Sequence, residues 1–387
     1  MKVFKNIVKK TVEILLVLII LYITAVYSKI PFIEKWRTIY IETAISTMTH
    51  QWLATYFIPP DVVAEVIKNT AEQQEENLVD SNEAEYAGAI IWLGHPNGLT
   101  DEQKAEKEFR EKYDEIDIET LPSNIEFYNL VLEGEQTEGI KTTAGDSVYA
   151  IDTVNGIVIL NITGDGYKGK LAIVKDPSKV KLASSSANGV GQHVLDIVEE
   201  NNAILGINAS GFYDPNGTGN GGLPVGLVKE QGKVTNKPIT YGYWFNVGID
   251  HSNNLMIGTK VDIESLRDAV QFKPALIING EKKVSGSAGW GIQPRTVLGQ
   301  SADKEILMLV VDGRKPTYSI GITVGECADI LIKYGATQAI NLDGGSSAAL
   351  VYKGQTINIP STRGKDGRRI PNAWIVGYSQ ENKEDNK

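Results

Sequence analysis

The sequence predicts an α+β (mixed α/β) fold: a mixed β-sheet core with flanking helices, preceded by an N-terminal transmembrane helix. Three observations carry this. Short β-branched runs separated by Gly and Asn turns begin near residue 125, most of the 38 glycines fall after residue 200, and two helical patterns are each followed by a buried apolar strand. Apolar residues make up 42% of the 387-residue chain, enough for a substantial core.

The chain divides into four stretches: 1–30, cytoplasmic lysines and a membrane anchor; 31–120, a juxtamembrane helical and acidic linker region; 121–380, the main domain; and 381–387, a disordered tail. Lys2, Lys5, Lys9 and Lys10 precede the 13-residue run ILLVLIILYITAV at 14–26, which reaches 20 residues if extended to Ile33 with Lys29 inside. The lysines place the N-terminus in the cytoplasm and the remainder outside a cell membrane. A cleaved signal peptide is the rival reading. Residues 31–58 read as one amphipathic helix, either on the membrane surface or packed on the soluble part, ended by Pro59-Pro60. A short helix at 61–69 and a solvated Gln/Glu-rich linker to Glu85 follow. Residues 100–115 read as an exposed helix with Thr100 as N-cap. The net charge of −10 is concentrated here: residues 61–120 hold 17 acids and 5 bases.

In the main domain, strands are predicted at 127–132, 147–151, 156–162 and 170–174. A helix at 191–200 then leads into a strand at 203–207. The later half repeats the logic with a strand at 306–311, a helix at 325–334 opened by a Thr323/Glu326 capping box, and a strand at 338–342. Cys327 is the single cysteine, which excludes an internal disulfide and a thiolate cluster. The four histidines (His50, His95, His193, His251) show no metal-ligand spacing. No basic patch with interleaved aromatics points to nucleic acid.

Candidate chemistry sits in loops at strand ends. Asn341-Leu342-Asp343-Gly344-Gly345-Ser346-Ser347 packs a carboxylate, two glycines and two hydroxyls behind an apolar run. Glycines permit a sharp turn and close ligand approach, and successive N–H groups in such a turn can cradle an anion. The other loops are Asn208 to Asp214 with the Gly/Asn run to Gly222, Gln293 to Thr296, Val311 to Arg314, and Ser361 to Arg369.

In this order the loops resemble the phosphodiester glycosidase family: an Asn-x-x-Gly-aromatic loop at 208–213, Pro-Arg-Thr at 294–296, Val-Asp-Gly-Arg at 311–314, the Asp343 loop, and a late Asn-Ala strand at 371–373. The match covers roughly residues 125–378. Ala209-Ser210, Tyr213 and Pro371 depart from the family pattern, the first of them where the sugar would sit. The resemblance implies hydrolysis of a glycosyl-1-phosphodiester at its anomeric carbon. It assigns Asp343, Asp312 and Arg295 as catalytic. It assigns Asn208, Gly211, Asp214, Asn220, Arg314, Asn341, Gly344, Gly345, Ser346, Ser347 and Arg369 as substrate-binding, with arginines suited to bidentate phosphate contacts. Which of Asp343 and Asp312 serves the anomeric carbon or its water stays open at this level. No cofactor is expected; a divalent cation such as Ca²⁺ or Mg²⁺ between Asp214, Asp312 and Asp343 is the alternative. The expected partners are a glycan or glycosyl-phosphate substrate and the membrane. The alternative function is a non-catalytic envelope polysaccharide-binding or exopolysaccharide-assembly protein.

Overall fold

The computed structural model describes residues 2–76, 100–362 and 364–379. The acidic linker to Glu85 and the tail at 381–387 lie outside the described residues, apart from the start of the former. The chain forms two compact units, one running to Glu76 and including Ser287–Ile292, the other holding the remainder.

The first unit is helical: α1 (Lys2–Tyr27), α2 (Pro31–Ile45), α3 (Trp52–Phe57) and α4 (Pro60–Glu76). The helix expected over 31–58 is interrupted. Ser46 and Thr47 turn their hydroxyls back to Thr43 O (3.1 Å) and Ala44 O (2.8 Å), and His50 N–H donates to Thr47 Oγ1 at 3.2 Å. Such short polar side chains compete for the backbone groups that would continue a helix. The helix after Pro59 runs on to Glu76, past the expected end at Asn69. Val26, Ile41, Val62, Val63 and Val66 form a small core. Every residue from Ile14 to Ile23 is 47–62% exposed, so this stretch of α1 is an open apolar surface, touched at its end where the Tyr22 hydroxyl donates to Phe57 O (3.0 Å). No single helix among the described residues is long and apolar enough to cross a membrane. Asn6–Tyr27 and Pro31–Ile45, bent by 82°, meet that test together on length and composition.

The second unit carries α5 (Asp101–Lys112), with Thr100 as N-cap as expected and Gln103 completing a capping box. Phe109 is its one buried residue, stacked on Tyr113 with centroids 4.9 Å apart. Three sheets follow. The largest orders β1 (Val131–Glu133), β2 (Ser147–Asp152), β3 (Ile157–Gly164), β4 (Tyr167–Val174), β15 (Ile306–Val311), β14 (Arg295–Ser301), β16 (Ala336–Asn341), β12 (Ala275–Ile278) and β13 (Glu281–Lys282). A second orders β10 (Leu255–Gly258), β9 (Phe245–Asp250), β11 (Leu266–Phe272), β7 (Val228–Glu230) and β8 (Lys233–Asn236). The third orders β18 (Gln355–Thr356), β17 (Leu350–Tyr352), β6 (Ala203–Asn208), β19 (Asn372–Gly377) and β5 (Val180–Ser184). Side chains from all three share one core that includes Leu182, Ile207, Val247, Leu298, Ile340 and Trp374.

The strand pairs are antiparallel, which corrects the expected mixed sheet. The cause is a split connection used twice. α6 (Val194–Glu200) links β5 to β6, which point the same way but have β19 between them. α7 (Val324–Lys333) links β15 to β16, with β14 inserted. The Thr323 capping box starts α7 as predicted. In both units of topology the carboxyl ends of the helix-linked strands meet the amino end of the inserted strand: Asn208 pairs with Ala373, and Asn341 pairs with Val297. The predicted site loops emerge at these ends.

Candidate active site

The Asp343 loop is tied to β6 by its backbone. Asp343 N–H donates to Ala209 O (3.2 Å), and Leu342 N–H to Thr296 O (2.8 Å). Asn208, fully buried, completes the tie: its Nδ2 donates to Asp343 O (2.5 Å), and its Oδ1 accepts from Thr296 Oγ1 (2.7 Å) and Ala349 N–H (3.2 Å). The side chain expected on a sugar hydroxyl is thus committed to holding the loop, as buried polar groups generally are.

The two glycines are required by space and conformation. A Cβ at Gly344 would lie 2.7 Å from Pro294 O, and Gly345 has φ +60°. The loop is not the anion cradle expected from its composition. Gly345 N–H donates to Pro294 O (2.9 Å), Ser347 N–H to Gly344 O (3.1 Å), and Gly344 N–H to the Asp343 carboxylate. The partly exposed polar groups of the loop are the Asp343 carboxylate and the Ser346 hydroxyl, while Ser347 is 2% exposed and turned to the carboxylate.

Asp343 is held near neutrality. Burial raises its carboxyl pKa, and Asp214 adds repulsion. Ser347 Oγ, Arg368 and the Gly344 N–H favour the charged form, and the balance lies at about 6. Two guanidiniums flank it. Arg368 donates to Asp214 Oδ2 (2.7 Å) and Gly219 O (3.2 Å), and packs over the Phe212 ring at 4.5 Å. Arg314, at φ +59°, donates twice to Gln293 Oε1 (3.0 and 2.8 Å) and once to Ser346 Oγ (3.2 Å). Burial works against the charged form of Asp214, yet Arg368 and the Gly219 N–H outweigh it and hold that carboxyl below its usual range.

The structure therefore brings Asp343, Asp214, Arg314, Ser346, Ser347, Gly344 and Gly345 together. Asp312, expected as the second catalytic carboxylate, is elsewhere in its bonding. It is 3% exposed and accepts from Asn358 Nδ2 (2.9 Å), Ile359 N–H (2.9 Å) and Tyr318 OH (3.1 Å). It pins the 358–359 segment to β15. Replacing it with Ala leaves the Asn358 amide and the Ile359 N–H without their acceptor, so D312A is expected to lose about 1–3 kcal/mol in denaturant unfolding. The folded fraction is expected to keep the ligand binding and turnover of the wild type, since no solvent-facing atom changes. Arg295 is 4% exposed beneath the loop, with Nε donating to Ile322 O at 3.4 Å; burial lowers its pKa to about 10. Asn341 holds Lys273 O (3.0 Å), and Asn220 spans Gly189 O (3.1 Å) and Gly222 N–H (3.0 Å). Gly211 lies against the Phe272 ring, where an added Cβ would be 3.2 Å from Cε2. Arg369 turns away, toward Gly191 O at 3.4 Å. Burial pushes the Cys327 thiol up to about 12, so it is a packed residue. Among the described residues no group of three or more His, Cys, Asp or Glu side chains is arranged to hold a metal, and Asp312 does not converge with Asp214 and Asp343.

Arg368 was missed from sequence, where its neighbour Arg369 was preferred. Adjacent residues of an extended segment face opposite sides, and the bridge of Ile370 to Gln192 sets that phase.

A desolvated carboxylate, two guanidiniums and two serine hydroxyls thus gather at one place, where a titratable group lies beside donors of the kind an anion takes. Residues 201–377 match the family model described as phosphodiester glycosidase. Over 75 residues the chain is 39% identical to N-acetylglucosamine-1-phosphodiester alpha-N-acetylglucosaminidase of Bos taurus, covering 19% of this chain and 14% of that protein. It is 26% identical over 178 residues to an SPbeta prophage-derived protein of Bacillus subtilis (strain 168), covering 43% of this chain and 27% of that one. Among solved structures, the zebrafish N-acetylglucosamine-1-phosphodiester alpha-N-acetylglucosaminidase catalytic domain aligns with a TM-score of 0.48 and 20% identity. That alignment covers 58% of this chain and 82% of that one. The chain thus spans about one-seventh of the length of the Bos taurus enzyme.

Proposed function

We propose that this protein hydrolyses the anomeric C–O bond of glycosyl-1-phosphodiesters in cell-envelope glycans, from the outer side of a membrane that α1 anchors. The observation that carries the reading is Asp343, with a carboxyl pKa of about 6, beside Arg314 and Arg368 in a stretch that matches this family's model. A general base is most effective when its pKa lies near the working pH. Arg314 and the Ser346 hydroxyl supply donors to the phosphoryl oxygens, and Asp343 takes a proton from water as the water's oxygen bonds to the anomeric carbon. The C–O bond breaks with its electron pair on the phosphate, and the proton passes from Asp343 to solvent. A phosphate monoester ionises with a second pKa near 6, so it departs with little need of an acid. Asp214 is neutralised by Arg368 and serves to position it.

Support for the anchor is the exposed apolar surface of α1 behind the four N-terminal lysines. On this reading the protein is single-pass, with its N-terminus cytoplasmic and its second unit extracellular.

The test is release of free sugar from an aryl glycosyl-1-phosphodiester by the full-length protein in detergent. kcat/KM is expected to rise with pH through a midpoint near 6. No turnover at any pH, with binding retained, would replace this reading with the polysaccharide-binding one.

A further inference from the structure

An aromatic surface continues outward from the site. Arg368 lies on Phe212, Gly211 packs against Phe272, and Phe272 meets Trp244 edge-on with centroids 6.5 Å apart. The loop joining β8 to β9 that holds Trp244 also carries Tyr241, 79% exposed, and Tyr243, 42% exposed. Exposed aromatic patches of this kind mark binding surfaces. Lys273 Nζ sits 5.0 Å over the Trp244 ring. Among the described residues no carboxylate pairs with it and no hydrogen bond takes up its ammonium; its pKa is lowered by burial with nothing opposing. The ring satisfies one face of the ammonium and leaves its other N–H donors directed elsewhere. Its backbone is fixed to the catalytic loop, because Lys273 O accepts from Asn341 Nδ2, two residues before Asp343. A compact cation on an aromatic platform suits a phosphate or carboxylate carried on a sugar.

We infer that Lys273, Trp244 and Tyr241 form a second subsite that binds an anionic saccharide unit, so that the substrate is an acidic polysaccharide and not a small glycosyl phosphodiester. The inference rests on the proposed hydrolase reading for its substrate, though the subsite itself stands on the geometry of Lys273.

The full-length protein is assayed on a polysaccharide of repeating glycosyl-1-phosphate units and on an aryl glycosyl-1-phosphodiester of the same sugar. K273Q is expected to lower the ratio of the polymer's kcat/KM to the small substrate's by about tenfold, through KM, the size of one charge-assisted contact. K273R restores the ratio. Y241A, at an exposed ring that leaves the fold intact, lowers it in the same direction. A ratio unchanged in K273Q and Y241A overturns the inference. If the wild type turns over neither substrate, the hydrolase reading fails, and the subsite is judged by affinity electrophoresis in gels containing the same polymer or neutral dextran. Retardation by the acidic polymer that K273Q weakens upholds it; no retardation, or retardation equal in K273Q, overturns it.

Discussion

Asp343→Asn is expected to lower kcat by about 10³-fold or more while making the protein more stable at neutral pH. The first effect follows from removing the base, a contribution of about 10²–10⁴ for positioned proton transfer. The second follows from linkage. The folded carboxyl is raised from 3.8 to about 6, so the charged form is disfavoured in the fold. For a raised acid the favourable contribution is complete below the unfolded pKa and lost as pH climbs through the folded one. Wild type therefore carries a penalty above pH 6 of up to about 3 kcal/mol that Asn does not. Thermal unfolding at pH 7.5 should show the higher midpoint in D343N, and at pH 4 the two should converge. A stabilised but fully active D343N would remove Asp343 from the chemistry. Loss of activity with loss of stability would show a structural role.

Arg368→Gln is expected to have the next largest effect. Arg368 lowers the carboxyl pKa of both Asp343 and Asp214. Its loss leaves two like charges facing each other, so the Asp343 pKa rises and the acid limb of the pH profile moves alkaline. At pH 6.5, kcat/KM should fall by about 10²-fold, with part of the loss regained at higher pH. Here the sign of the stability effect reverses. Asp214 has a lowered pKa, so its contribution is present above its unfolded value and lost as pH falls through the folded one. R368Q should be less stable at pH 7 by about 2 kcal/mol, since breaking a largely buried pair strands the remaining charge. The deficit should shrink once Asp214 protonates, below its ordinary 3.8. Calorimetry at pH 7 and pH 3.5 measures both points. A pH profile identical to the wild type's would show that Arg368 does not set the state of Asp343.

Parts of the fold were open to reading residue by residue. The Thr100 and Thr323 capping boxes depend on contacts three residues apart, so they are visible in sequence. Strands β2 to β4, β6, β15 and β16 were found as apolar runs with errors of a few residues at their ends. The sheet of β7 to β11 was not assigned. Its interior strand β9 is buried on both faces and shows no alternation, and the central strand β11 carries a bulge between Leu266 and Asp268 that shifts the pattern. The interruption of 31–58 rests on hydroxyls that compete with the helix, a close contest that periodicity does not register.

By itself the sequence determined the loop proposed to carry the chemistry, because Asp343, Gly344, Gly345, Ser346 and Ser347 are chemically distinctive and contiguous. It determined the order of the strand-end loops and the apolar, lysine-flanked N-terminus. Only the tertiary structure decided among residues of the same type. It tied Asp312 to Asn358, 46 positions away, and so withdrew it from solvent. It spent Asn208 on the backbone of Asp343, 135 positions away. It set Asp214 and Arg368 beside that loop and turned Arg369 outward. The physical reason is that a carboxylate's function depends on its desolvation and its partners. Both are set by segments distant in sequence that the split β-α-β connections bring to one edge of the core.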